Sequence, residues 1–153
     1  APITDEERKP RGAAARLRTF RYPEDYPAVR AIWEAAGPGV RLRPSDEPLE
    51  IAKKLDRDPE LFLVAETGKR VVGAVLGGFD GRRGFLYHLA VAAEYRRRGV
   101  ATRLADEIER RLRAKGCLRA NLFIVAGNGE AEAFWAARGW AAMDAGGWAK
   151  DLG

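Results

Sequence analysis

The chain has 153 residues, the length of one domain and enough for one sizeable core. Its apolar content is ordinary, no run of 18 apolar residues occurs, and its single cysteine permits no intrachain disulfide, which argues against a membrane span and a disulfide scaffold. Lys and Arg number 27 against 22 Asp and Glu, a net charge of +5; with no helix-turn-helix, zinc-finger spacing or RNA-binding aromatic signature, this points to an anionic small ligand rather than nucleic acid, and one histidine excludes a histidine-based metal cluster.

Residues 1–15, with Pro2, Pro10, Gly12 and mixed charge, are expected to form an extended or mobile arm ahead of a single domain over 16–153. The first ten residues are polar and lack the apolar segment of a secretory signal, so a cytoplasmic location is expected. Alternation of Leu17 and Thr19 with Arg18 and Phe20 predicts a strand over 16–20. Pro23, Glu24 and Asp25 then open a helix with an apolar face of Val29, Ile32 and Trp33, stopped by Gly37-Pro38-Gly39. A loop carrying Arg41 and Arg43 leads to a second helix over 48–58, with Leu49, Ala52 and Leu55 on one face.

Strands are predicted over 61–66, 71–79 and 84–92, the last two joined by the Asp80-Gly81 hairpin. The glycines of 77–84 lack the spacing of a nucleotide-binding loop and read as part of that turn. A helix over 99–115 turns Val100, Leu104, Ile108 and Leu112 inward, ends on Arg110, Arg111, Arg113 and Lys115, and stops at Gly116. Cys117 reads as a small buried residue. A strand over 118–125, a helix over 128–138 capped by Asn128, and closing strands over 140–143 and 147–152 complete an α+β (mixed α/β) domain.

The most informative stretch is the start of the 99–115 helix. A helix N-terminus carries partial positive charge and free N–H groups and favours acidic residues. Here it carries Arg96, Arg97, Arg98 and then Arg103, a conflict that a bound anion removes. Gly99 allows a tight turn and close approach of the backbone, so a phosphate or pyrophosphate fits the site.

The run Leu89-x-Val91, then Arg96-x-x-Gly99-x-Ala101 opening a helix, resembles the acyl-CoA signature of the GNAT superfamily of N-acyltransferases. A second piece, Asn128, Ala131, Phe134-Trp135 and Gly139-Trp140, is similar to a helix of the same family, and the resemblance covers about residues 16–150. It implies a GNAT-like fold: a central, mostly antiparallel sheet flanked by about four helices, with strands four and five splayed around the cofactor. The implied activity is transfer of an acetyl group from acetyl-CoA to an amine, a small molecule or a protein amine, by direct attack in a ternary complex. Acetyl-CoA is then a co-substrate, and no metal, nucleic acid or membrane is involved.

The resemblance also implies residue roles. Backbone N–H groups of Arg97, Arg98, Gly99, Val100, Ala101 and Thr102 hold the pyrophosphate, supported by the Arg96 side chain. Leu89, Ala90 and Val91 run beside the pantetheine arm, and the Val91 amide polarises the thioester carbonyl. Asn128 contacts that arm or only caps its helix. Trp135 stands where the family often has a tyrosine that protonates the departing thiolate, and an indole is no useful acid near neutrality. Tyr87 and Tyr95 are the alternative proton sources, Tyr87 alternating in phase with Leu89 and Val91. His88, on the opposite face, is the candidate base; a structural role is the competing reading. Asp80 and Arg83 line the acceptor site or form a solvated turn, and Asp46 and Glu47 are candidates for attracting a cationic amine. Trp135 keeps open the alternative of a non-catalytic CoA-binding sensor or interaction module. Exposed edge strands and C-terminal tryptophans make a homodimer a further expectation.

Overall fold

The computed structural model describes residues 15–153; apart from Ala15, the arm expected over 1–15 lies outside them. The elements are β1 (Arg16–Thr19), α1 (Tyr26–Ala35), α2 (Pro48–Arg57), β2 (Phe62–Thr67), β3 (Arg70–Phe79), β4 (Gly84–Val91), α3 (Val100–Ala114), β5 (Ala120–Asn121) and α4 (Gly129–Ala137). The sheet runs in the order β1-β2-β3-β4-β5. The first four strands are antiparallel, and β5 joins β4 in parallel through two rungs, Gly84 to Ala120 and Phe85 to Asn121. This is the mixed α/β, GNAT-like architecture expected, with four α-helices among the described residues.

The apolar runs of β2 and β3 are buried because helices cover both faces of the sheet. On one face α1 inserts Trp33, whose ring stacks 6.0 Å from Phe62; Phe62 in turn stacks 4.1 Å from Phe20. On the other face α3 presses Val100, Leu104, Ile108 and Leu112 into the core. Each such side chain contributes about 1.5–3 kcal/mol by leaving water. α3 comes this close because β3 carries no Cβ at two positions beneath it: one added at Gly77 would lie 2.9 Å from Ile108 Cδ1, and one at Gly73 3.1 Å from Leu104 Cδ1.

Three sequence expectations change. The first helix begins at Tyr26, not at Pro23, because Asp25 is engaged elsewhere. Its carboxylate accepts two hydrogen bonds from Arg18, at 2.7 and 2.9 Å, and the Arg21 N–H at 2.7 Å; Glu66 holds the same guanidinium. Burial pushes the Asp25 carboxyl up, but these donors outweigh it and hold it below its ordinary value. Asp25→Asn is expected to cost roughly 3 kcal/mol at pH 7 by urea unfolding, since it leaves a buried cation short of a partner. The wild type holds this contribution in full above the ordinary carboxylate range. It loses it as pH falls through the depressed folded value, where the two proteins converge.

The second change concerns the end of the chain. No strand forms over 140–143 or 147–152, and the strand predicted over 118–125 shortens to Ala120–Asn121. The terminal segment is rich in alanine and glycine, poor strand formers, and β5 diverges from β4 after two rungs and offers no long edge to pair with. The third is Cys117, half-buried rather than buried, its thiol donating to the Arg119 carbonyl at 3.3 Å.

Candidate active site

Beyond its second rung β5 leaves β4, and residues 122–125 open away from Leu86–Val91. The gap is a cleft of about 640 Å³. Its sides are β4 and residues 122–125, its base is the start of α3, and Asn128, Ala131, Phe134 and Trp135 of the α4 region close it. At one rim Gly39 approaches the Asn128 side chain so closely that a Cβ there would sit 3.4 Å from Nδ2.

One end of the cleft is built from unused backbone donors. Gly99 caps α3 in the left-handed region at φ 80, with no side-chain cap and no acidic residue in the first turn. Among the described residues no acceptor takes the N–H groups of residues 97–102; the first helical bond runs from Arg103 N–H to the Gly99 carbonyl. Arg97 is held at φ 61, which folds the preceding loop into a concave row of amides. Six unpartnered N–H groups at the positive end of a fifteen-residue helix suit a di-anionic group. The Arg96 Nε donates to the Val91 carbonyl at 3.1 Å, tying this loop to the end of β4. The Arg98 side chain turns away: its guanidinium stacks 5.0 Å over the Tyr95 ring.

The middle of the cleft is shaped by an irregularity in β4. Ala74 pairs with Ala90 and Leu76 with Tyr87, so His88 and Leu89 together oppose Val75. This bulge places His88 at φ 51. The described residues hold two non-glycine residues at positive φ, His88 and Arg97, and both line the cleft. The extra residue also breaks the alternation assumed for Tyr87. Tyr87 and Ala90 oppose Leu76 and Ala74 on one face, whereas Val91 opposes Gly73 on the other. Tyr87 therefore does not share the Val91 face, and its ring lies 6.5 Å from that of His88 instead of across the sheet from it.

The same register fixes the Val91 amide. Ala92 N–H bonds to the Val72 carbonyl at 2.7 Å, which makes Val91–Gly73 a wide, non-bonded pair. The Val91 N–H and C=O thus point away from β3 and into the gap left by β5. Beside them the His88 imidazole is pinned. Its Nε2 lies 3.0 Å from both Asp46 carboxylate oxygens. Its ring meets the edge of Trp33 at 5.0 Å, and its carbonyl accepts the Trp33 indole N–H at 3.2 Å. Tyr87, 40% exposed, has its hydroxyl raised above the ordinary value by the burial of its ring, so it stays protonated well above neutrality.

Not every predicted residue reaches the cleft. The Asp80 carboxylate accepts the Arg82 and Arg83 N–H groups at 2.7 Å each, closing an exposed hairpin turn outside it. Neither Asp46 nor Glu47 is free for a cationic amine: Asp46 is 4% exposed and bound to His88, and Glu47 pairs with Arg30. Asn128 caps α4, accepting the Ala131 N–H at 3.1 Å, and also lines the cleft. Trp135, 8% exposed, packs edge-on to Phe134 and Trp140 and forms part of the wall. Among the described residues no cluster of three His, Cys, Asp or Glu side chains is placed to hold a metal. Nor is any helix there long and apolar enough to cross a membrane. The pairing of His88 with Asp46 is not legible in the sequence because 42 residues separate them; the local signal is only the acidic pair Asp46-Glu47.

Residues 26–140 match the acetyltransferase (GNAT) family. The chain belongs to that family. This GNAT protein is 43% identical over 109 residues to an acetyltransferase from Sodalis glossinidius, covering 71% of this chain and 74% of that one. Its fold is similar to that of Ard1 from Thermoplasma volcanium, with a TM-score of 0.74 and 25% identity over 84% of both chains. It is also similar to an aminoglycoside acetyltransferase, meta-AAC0020, from an uncultured soil sample: TM-score 0.72 and 16% identity over 92% of this chain and 97% of that one, a likeness of fold. GNAT proteins generally bind acetyl-CoA, and the free amides and splayed strands of this cleft are compatible with such a molecule.

Proposed function

We propose that this protein transfers an acetyl group from acetyl-CoA to an amine by direct attack, with both substrates bound in the cleft at once. The observation that carries this reading is the alignment of two sets of free backbone donors along one gap: the row of N–H groups from residue 97 to 102, and the Val91 N–H turned away from its sheet partner. Bound acetyl-CoA supplies the activated thioester. The amide row holds the pyrophosphate at no conformational cost, because the backbone is already set. The Val91 N–H donates to the thioester oxygen as negative charge builds there. The His88 imidazole takes a proton from the incoming ammonium, and the Tyr87 hydroxyl, kept protonated by its surroundings, is the proton source for the departing sulfur. A thiol with a pKa of about 8.5 leaves readily enough that the wall residue Trp135 need not act as an acid.

The acceptor is a small-molecule or peptide amine. The test is free-thiol release from acetyl-CoA across a panel of an α-amino peptide, an Nα-blocked lysine, spermidine and an aminoglycoside. Release that depends on one of these amines is expected. Saturable CoA binding with no amine-dependent release across the panel would count against transfer and favour the CoA-binding sensor.

A further inference from the structure

We propose that Asp46 is a positioning residue for His88: its carboxylate holds the proton of the neutral imidazole on Nε2 and so makes Nδ1 the atom that receives the acceptor's proton. This rests on the acetyl-transfer reading above. A carboxylate can only accept hydrogen bonds. With both Asp46 oxygens 3.0 Å from Nε2, that nitrogen must be the donor. A neutral imidazole has one N–H, so Nδ1 is left with a bare lone pair.

Asp46 is itself held fast. Its carboxylate accepts the Arg43 N–H at 2.9 Å, and its carbonyl accepts the Tyr26 hydroxyl at 2.8 Å. Tyr26 in turn accepts from Arg30 at 3.1 Å. Burial pushes the Asp46 carboxyl up, but the His88 bond and the Arg43 N–H outweigh this and keep it ionised. The bulge supplies the other half of the arrangement. A regular strand would send His88 to the opposite face from Tyr87; the residue at φ 51 brings both rings together beside the loop that carries Asp46.

In the reaction one ammonium proton passes to Nδ1, and the freed nitrogen lone pair forms the C–N bond while the C–S bond breaks. Tyr87 gives its proton to the departing sulfur and is reprotonated by the second proton lost from that nitrogen, and the imidazolium returns its own to solvent. Asp46 compensates the imidazolium while it lasts.

Because His88 is the chain's one histidine, ¹⁵N spectra of labelled wild-type protein report its tautomer without assignment. In the neutral ring the proton is expected on Nε2; a predominant Nδ1–H form overturns the proposal whatever any variant does. Kinetics then use the panel amine with the highest turnover. Asp46→Asn, which offers both a donor and an acceptor, is expected to mix the tautomers and lower kcat about 100-fold, with KM for acetyl-CoA within about twofold. In a His88→Asn background it is expected to cost no further kcat. An equal loss in that background, or an unchanged kcat in the single variant, means that Asp46 only fastens its loop. An unchanged kcat in His88→Asn alone removes the base from the mechanism, a different failure from that of Asp46.

Discussion

Gly99→Glu is expected to weaken acetyl-CoA binding about 100-fold or more, measured by calorimetry at low salt. Two costs combine. Any side chain at φ 80 carries about 1–2 kcal/mol of strain, which shifts the free loop away from the conformation that presents the amides. A carboxylate also enters the amide row that would hold the pyrophosphate and repels it, and each 1.4 kcal/mol is a factor of ten. The substitution is not expected to unfold the protein, since an added Cβ meets nothing within 4 Å and a negative charge suits the start of α3. Gly99→Ala separates the two costs, because it keeps the strain and adds no charge; its Kd should rise by less than about tenfold. If Gly99→Glu binds acetyl-CoA as tightly as the wild type does, the pyrophosphate does not lie on these amides.

His88→Asn is expected to lower kcat about 100- to 10,000-fold while leaving KM for acetyl-CoA nearly unchanged, the range associated with losing a general base. Asn is the appropriate replacement because it tolerates the left-handed conformation that the bulge imposes, so β4 keeps its register. A parallel loss of thermal stability with no separate fall in kcat would return His88 to the structural role its Trp33 and Asp46 contacts also permit.

The parts of this site that could be read from the sequence are those set by neighbours along the chain. Gly99 ahead of an apolar helical stripe, arginines against the helix dipole, and Asn128 as a cap are local, and each stands where it was expected. The bulge was invisible, because strict alternation is the only rule a lone strand offers and one extra residue moves Tyr87 off the Val91 face. The His88–Asp46 pair depends on a loop folding back over the sheet. Asp25 illustrates the same limit: its sequence context suggests a helix start, and its long-range partner Glu66 through Arg18 decides otherwise. The terminal strands failed for the complementary reason, a local pattern with no neighbouring edge to complete it.

The two rungs between β4 and β5 bear on more than the shape of the cleft. Everything after Asn121 is joined to the main sheet by those rungs, the stacking of Phe123 on Phe85 at 6.3 Å, the packing of Trp135 into the core, and the ion pairs of Arg138 with Asp106 and Glu109 on α3. A molecule that touches β4, the start of α3 and α4 at once acts as mortar between the two parts. At about one hundred times its Kd such a ligand adds about 2.7 kcal/mol to the folded state. Bound acetyl-CoA is therefore expected to slow proteolysis of the last thirty or so residues, the part expected to open first without it.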